Sequence, residues 1–216
     1  MAAITDFASL QQAVTDNLAR SDLASFAPDF IAMAENWLNY GADAIGPIPA
    51  VDPLRVKEME ATTTLTPTAG VAPLPSDYLQ YIRVTDVTTQ RATLKYLTPD
   101  QGQVWYPDGT GGQAEFFSII GTNLKTWPIT SDPVELVYYQ AIPALSGSNT
   151  TNWLITKAPN LYLRAALVWA AEFIKNKDEM ATQGALAASL LGGLNRSNMM
   201  GKYARAGITF RGGAPS

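Results

Sequence analysis

Glu58-Met59-Glu60 spaces two carboxylates one residue apart, which on a strand sets both on the same face. A metal pair or an acid–base pair can start this way, but two solvated strand glutamates also fit, and no third ligand accompanies them. Asp77, in Pro75-Ser76-Asp77-Tyr78, reads either as a catalytic carboxylate or, more simply, as the cap of a turn. The run Pro107-Asp108-Gly109-Thr110-Gly111-Gly112 has neither the GxGxxG nor the GK[ST] pattern of a phosphate cradle, and is expected as a mobile loop. Trp105, Tyr106, Phe116, Phe117, Trp127, Tyr138 and Tyr139 could face a sugar or a base. The residues between them are not basic, which favours a β core instead. The chain has no cysteine and no histidine. That excludes disulfides, thiolate and imidazole chemistry and nearly every structural zinc arrangement. Only carboxylates, Lys and Tyr remain for acid–base work. The expectation is a protein with no catalytic site, no cofactor and no metal.

The elements around these residues fall into three stretches. Residues 5–19 read as an amphipathic helix capped by Thr5 or Asp6, with Phe7, Leu10, Val14 and Leu18 on one face. After a break at Arg20-Ser21-Asp22, where Ser21 or Asp22 can cap afresh, Pro28 opens a second helix. It carries Phe30, Ile31, Ala34, Trp37 and Leu38, and Gly41 stops it. Residues 53–149 change character: β-branched and aromatic runs at 62–64, 78–87, 92–97, 116–120 and 134–139 alternate with Pro, Gly and Asp turns. Ile120-Gly121-Thr122-Asn123-Leu124 predicts a hairpin, and Thr98-Pro99 a short helix holding Val104 and Trp105. From Pro159 to Asn176 the sequence is apolar around most of a helical circumference, which predicts a helix packed on several sides. A second helix over about 178–194 completes a hairpin. The expected fold is α+β: an antiparallel helical bundle built from both chain ends (1–52 and 150–195), an inserted small antiparallel β module (53–149), and an extended tail (196–216).

In a chain of 216 residues, 47% hydrophobic and 16% charged, a sizeable core is expected. No apolar run reaches the ~20 residues of a membrane span, and the amino terminus lacks a secretion signal. Charge is unevenly placed. Residues 1–52 carry Asp6, Asp16, Asp22, Asp29, Glu35, Asp43 and Asp52 against Arg20 alone, whereas from Arg196 onward there is no acid. Ends of opposite sign suit contact with each other, within one chain or between copies. The tail mixes basic residues, glycines and a few large apolar anchors, a composition that orders on binding or frays as a terminus.

Six pieces in order resemble the head-to-tail adaptor (connector) proteins of tailed bacteriophages, the rings that lie below the portal. They are 17–23 (Asn-Leu-Ala-Arg-Ser-Asp-Leu), 30–39 (Phe30 to Asn39), 55–60 (Arg55 to Glu60), 74–79 (Leu74 to Leu79), 137–145 (Val137 to Leu145), and Thr151-Asn152-Trp153-Leu154 leading into Pro159-Asn160-Leu161-Tyr162. The resemblance implies a structural virion protein that forms a homo-oligomeric ring, a dodecamer. It would sit at the head–tail junction after assembly in the host cytoplasm. Its partners would be the portal protein and a tail protein of the nozzle or tail tube. DNA would pass through the channel without sequence-specific binding, and no membrane would be involved. Portal docking is expected of the tail residues Arg196, Lys202, Tyr203, Arg205, Ile208 and Phe210. Two other readings fit the residues less well: another tail or completion component, and a carbohydrate-binding or hydrolytic accessory domain using Trp105, Trp127 and Glu58 or Glu60.

Overall fold

The computed structural model describes residues 3–88, 92–107 and 111–203, without the side chains of 202 and 203. The fold is mixed α+β, and the chain divides into two compact units, Met1–Glu58 with Ile142–Ser216, and Met59–Ala141.

The first unit is helical. Helix α1 (Phe7–Leu18) starts where Asp6 Oδ1 accepts from Ser9 N at 2.8 Å and Ser9 Oγ accepts from Asp6 N at 2.9 Å, a reciprocal cap. Leu10, Ala13 and Val14 are buried. The fresh cap expected at Ser21 or Asp22 is not formed. Arg20 instead donates twice to Asp22, at 2.8 and 2.7 Å, and a 3₁₀ turn spans Ser21–Phe26. Helix α2 (Ala27–Tyr40) opens with no side-chain cap; Pro28 in its first turn supplies the helical φ instead. Its buried face includes Phe30, Ile31, Ala34, Trp37 and Leu38, at the spacing the sequence shows. Gly41 ends α2 at φ 69°, where a Cβ would stand 2.6 Å from Val51 O.

Helix α4 (Trp153–Lys157) follows the β unit, and helix α5 (Pro159–Phe173) follows it at once. Leu161, Tyr162, Leu163, Ala165, Ala166, Leu167, Val168, Ala170 and Ala171 of α5 are all buried, and α1, α2, α4 and helix α6 (Lys177–Tyr203) contact it. Two boundaries differ from expectation. Helix α5 stops at Phe173, not Asn176, because Lys175 turns to φ 56°, so neither Lys175 nor Lys177 occupies its last turn. Helix α6 continues to Tyr203 rather than ending near Leu194, so the first part of the expected extended tail is helical.

The second unit holds two sheets. One is antiparallel, β1 (Glu60–Leu65), β7 (Val134–Gln140) and β3 (Tyr78–Asp86) in that order. The other orders β2 (Val71–Pro73), β6 (Asn123–Trp127), β5 (Phe116–Ile120) and β4 (Lys95–Tyr96). Strands β5 and β6 form the expected hairpin, with Gly121 at φ 59° in its turn. The module is not wholly antiparallel, since β4 runs parallel to β5. The strand expected over 92–97 shortens to two residues, and the three-residue β2 was not expected. Between β4 and β5, helix α3 (Pro99–Trp105) is capped by Thr98, whose Oγ1 accepts from Gln101 N. Val84, Leu94, Phe117, Leu124, Leu136 and Tyr138 lie in the core of this unit. Glu58 belongs to a 3₁₀ turn (Lys57–Met59) and Glu60 begins β1, so the two carboxylates do not share a strand face.

Candidate functional site

On α2 the residues Glu35 and Asn39 stand four apart, and both are buried despite their polarity, at 6% and 7% exposure. The return segment beginning at Ile142 has no helix or sheet to satisfy its N–H groups, so acceptors must come from elsewhere. These two side chains supply them. Glu35 Oε1 accepts from Leu145 N at 2.8 Å, and Asn39 Oδ1 from Ile142 N at 3.0 Å. Tyr162 on α5, fully buried, donates its hydroxyl to the same Glu35 oxygen. Asn152 Nδ2 donates to Pro143 O at 2.8 Å and to Tyr162 Oη at 3.3 Å, and its Oδ1 caps α4 by accepting from Ile155 N at 2.9 Å. Burial raises the Glu35 carboxyl above its ordinary value, against the opposing pull of the Tyr162 and Leu145 hydrogen bonds. Burial first, then the neighbouring Glu35, pushes the Tyr162 hydroxyl up, so it stays protonated and remains a donor. This latch ties α2, α4 and α5 to the segment that re-enters the helical unit.

A second clamp holds α6. Asn195 Oδ1 accepts from Arg55 N at 2.9 Å while its Nδ2 donates to Pro53 O at 3.1 Å. One turn on, Asn198 Oδ1 accepts from Lys57 N at 3.0 Å and its Nδ2 donates to Arg55 O at 3.1 Å. Two carboxamides three residues apart thus serve an extended segment as a neighbouring strand would. Arg55 adds a bond from Nη1 to Asn39 O at 3.0 Å, joining clamp to latch. Replacing Asn195 and Asn198 together by alanine should cost about 1–3 kcal/mol. Amide exchange over 196–203 should accelerate before the rest of α6 does; an unchanged exchange profile would refute the clamp.

Beside this clamp lies an acidic hollow of about 520 Å³ lined by Tyr40, Ala42, Asp43, Ala50, Val51, Asp52 and Pro53. A second hollow of about 350 Å³ shares the Ala50–Asp52 wall and is closed by Leu191, Asn195, Arg196 and Met199 of α6, among others. Of the expected docking residues, Arg196 is exposed at this second hollow, and Lys202 and Tyr203 fall in the last turn of α6. Arg205, Ile208 and Phe210 lie outside the described residues. Among the described residues, Arg196, Lys202 and Tyr203 share helix α6. The latch and clamp residues were missed as a site; the available signal was polar side chains at helical spacing within otherwise apolar stripes.

The residues weighed for chemistry have other partners. Glu58 Oε1 accepts from Lys157 Nζ at 2.6 Å. Burial raises the Glu58 carboxyl, but the Lys157 bond, a backbone hydrogen bond and the Lys157 and Lys57 charges together outweigh that and leave it below its ordinary value. Asp77 Oδ1 accepts from Tyr138 Oη at 3.0 Å, and burial together with Asp77 pushes that phenol up to about 12. Phe117, Trp127 and Tyr138 are buried in the β unit, while Trp105 is exposed with its ring edge-on to Phe116. Among the described residues no group of three or more His, Cys, Asp or Glu could hold a metal ion, and no helix is long and apolar enough to cross a membrane.

Four of the six sequence pieces that carry the adaptor resemblance meet at the latch and clamp: 30–39 through Glu35 and Asn39, 55–60 through Arg55 and Lys57, 137–145 through Ile142 and Leu145, and the last through Asn152 and Tyr162. No curated protein matches the chain. The family model described as SU10 adaptor protein matches residues 5–208, reaching through both units and past the end of α6. With nearly its whole length matched, the chain belongs to the SU10 adaptor protein family, and it is a structural head-to-tail adaptor of a bacteriophage.

Proposed function

We propose that the protein forms a homo-oligomeric ring, a dodecamer, at the head–tail junction of the virion, joining the portal to a tail protein while DNA passes through its channel. The observation that carries this is the family match across residues 5–208, which includes the helices from both chain ends and the β unit between them. We read the helical unit as an antiparallel bundle with α5 at its centre, the β unit as an insertion, and residues 196–216, from the last turns of α6 onward, as the docking tail. A ring of identical copies needs two unlike, complementary sides on each copy, since head-to-tail contacts close only when one rotation repeats. The acidic first 52 residues and the acid-free stretch from Arg196 supply such sides. The DNA path would take few phosphate contacts, because phosphate contacts are what create affinity.

Light scattering of the chain alone and mixed with its cognate portal tests the reading. The full chain should shift in mass to a portal-bound ring. A chain ending at Tyr203 should not, because it lacks Arg205, Ile208 and Phe210 yet keeps the Asn195–Asn198 clamp and a folded α6. Normal ring formation by the shortened chain would remove docking from the tail. Failure of the full chain to bind the portal under any condition would transfer the protein to another role in the virion.

A further inference from the structure

We propose that copies of the chain join through a helix–helix seam, in which the exposed stripe of α6 on one copy lies antiparallel on that of α2 on the next, Gly193 opposite Met33. The seam rests on the ring reading above, and it gives Arg196 to a neighbouring copy rather than to the portal. Both stripes are apolar where a solvated helix carries charge. Phe26, just before α2, and Met33 and Tyr40 within it stand seven apart and are 40%, 50% and 65% exposed. Phe173 extends this patch, its ring centroid 5.0 Å from that of Phe26. On α6 no charged residue occurs from Met180 to Asn195, yet Leu186 and Leu190 are exposed, as is Met200 beyond them. Leu186, Gly193 and Met200 again stand seven apart, the repeat at which two helices keep one seam.

Placement decides that the partner is a second copy. Helices α2 and α6 both pack on α5. Helix α5 meets α2 through Tyr162, Trp169 and Phe173, and meets α6 through Arg164. Residues two apart on a helix, such as Tyr162 and Arg164, do not share a face, so α5 lies between its two neighbours. Phe30, Ile31 and Ala34 of α2 and Gln183, Ala187 and Leu191 of α6 are buried, and the exposed stripes lie on the opposite sides of their helices. The stripes therefore point away from each other and can meet only between copies, head to tail. Charge selects the direction. With Gly193 opposite Met33, the antiparallel direction sets the exposed Arg196, three residues on, level with the exposed Asp29, four residues back. The parallel direction would set Arg196 level with Asn36. Gly193 supplies the hole: a Cβ there would meet nothing within 4 Å, and beside it opens a hollow of about 400 Å³ lined by Leu190 and Leu194 among others. Each stripe runs about 21 Å on a helix about 10 Å across, well short of the ~800 Å² per partner of a stable pair. Single pairs are therefore weak, and the seam forms where the portal gathers the copies.

Because the chain has no cysteine, disulfide trapping on the cognate portal tests the seam in the full chain. Met33→Cys and Gly193→Cys in one chain should give, on oxidation, a ladder of covalently joined copies. Either substitution alone should give none, and Tyr40→Cys with Gly193→Cys, out of register by about 10 Å, should give none either. Gly193→Leu fills the hole but meets open space in its own chain, so portal-bound rings should be lost while the melting temperature holds or rises. Asp29→Arg and Arg196→Asp, each alone, should raise the concentration for half-assembly about three- to tenfold. Mixing these two variants should restore assembly, since alternating copies then pair opposite charges at every seam. A ladder that stops at two copies would overturn the head-to-tail form. No ladder, with Gly193→Leu still forming portal-bound rings, would overturn the seam and leave the ring reading standing. An unaltered chain that forms no ring with the portal would remove the ring reading, and the seam with it.

Discussion

Trp127→Ala should cost the β unit about 3–5 kcal/mol, enough to leave it marginal or unfolded. The side chain is 1% exposed on β6, and its Nε1 donates to Ser118 Oγ at 2.8 Å. Ser118 Oγ in turn donates to Leu97 O at 2.6 Å, so the indole sits at the end of a buried chain of bonds that fixes the lead into α3. Lys125 Nζ covers the ring at 3.9 Å from its centroid. On the α3 side the fit admits nothing more: a Cβ on Gly102 would stand 2.4 Å from the indole Cε2. Deleting the indole opens a void and leaves Ser118 without its donor. The converse change, Gly102→Ala, should destabilise by overpacking, about 1–3 kcal/mol. Trp127→Phe keeps most of the apolar area but loses the N–H, and should fall between the two. Amide exchange of β5 and β6 reads the effect directly. A Trp127→Ala chain whose β5 and β6 amides stay as protected as before would refute the packing argument.

That packing was only partly legible in the sequence, and the division has a physical basis. Features set by neighbours three or four residues away could be read. The Phe30-to-Leu38 spacing gave the buried face of α2, and Asp6 and Thr98 cap the helices they precede. Features set by distant partners could not. Nothing local extends α6 beyond Leu194; the Asn195 and Asn198 bonds that hold it reach backbone 140 to 143 residues away. Strand β2 exists because Val71–Pro73 pairs with Asn123–Lys125, and β4 is parallel because a helix intervenes before β5. Glu35 counted in the sequence as one more surface acid of the amino-terminal third. Its position on the buried arc of α2 shows only once the Leu145 N–H and the Tyr162 hydroxyl arrive beside it. The docking residues stand on different footing: Arg196 is exposed at the second hollow, while Arg205, Ile208 and Phe210 lie beyond the described residues.

Glu35→Ala and Glu35→Gln should diverge, and the divergence separates a hydrogen-bond role from a charge role. Alanine leaves the Leu145 N–H and the Tyr162 hydroxyl short of their acceptor inside the helical unit, at a cost of about 2–4 kcal/mol. Glutamine keeps an acceptor oxygen of the same reach and carries no charge. Burial raises the folded Glu35 carboxyl above its ordinary 4.5, so the folded chain still holds a proton that the unfolded chain has released. That contribution is complete below 4.5 and is lost as pH rises through the folded value; above it, the buried charge is a standing penalty. The stability of the unaltered chain minus that of Glu35→Gln should therefore be highest at low pH, fall across that window, and level off above it. The lowered carboxyls of Asp6, Asp22 and Glu58 shift stability the opposite way, but they are common to both chains and cancel in the difference. Denaturant midpoints between pH 4 and 8 supply the comparison. A difference that rises with pH would mean the carboxylate is stabilised by its surroundings more than it is penalised by burial, and the account of the latch as a neutral-favouring site would fail. Tyr162→Phe provides the cross-check, because its hydroxyl donates to Glu35 and also receives Asn152 Nδ2. Removing it takes from the carboxylate one of its two donors, so the Glu35 window should move to higher pH in the Phe background.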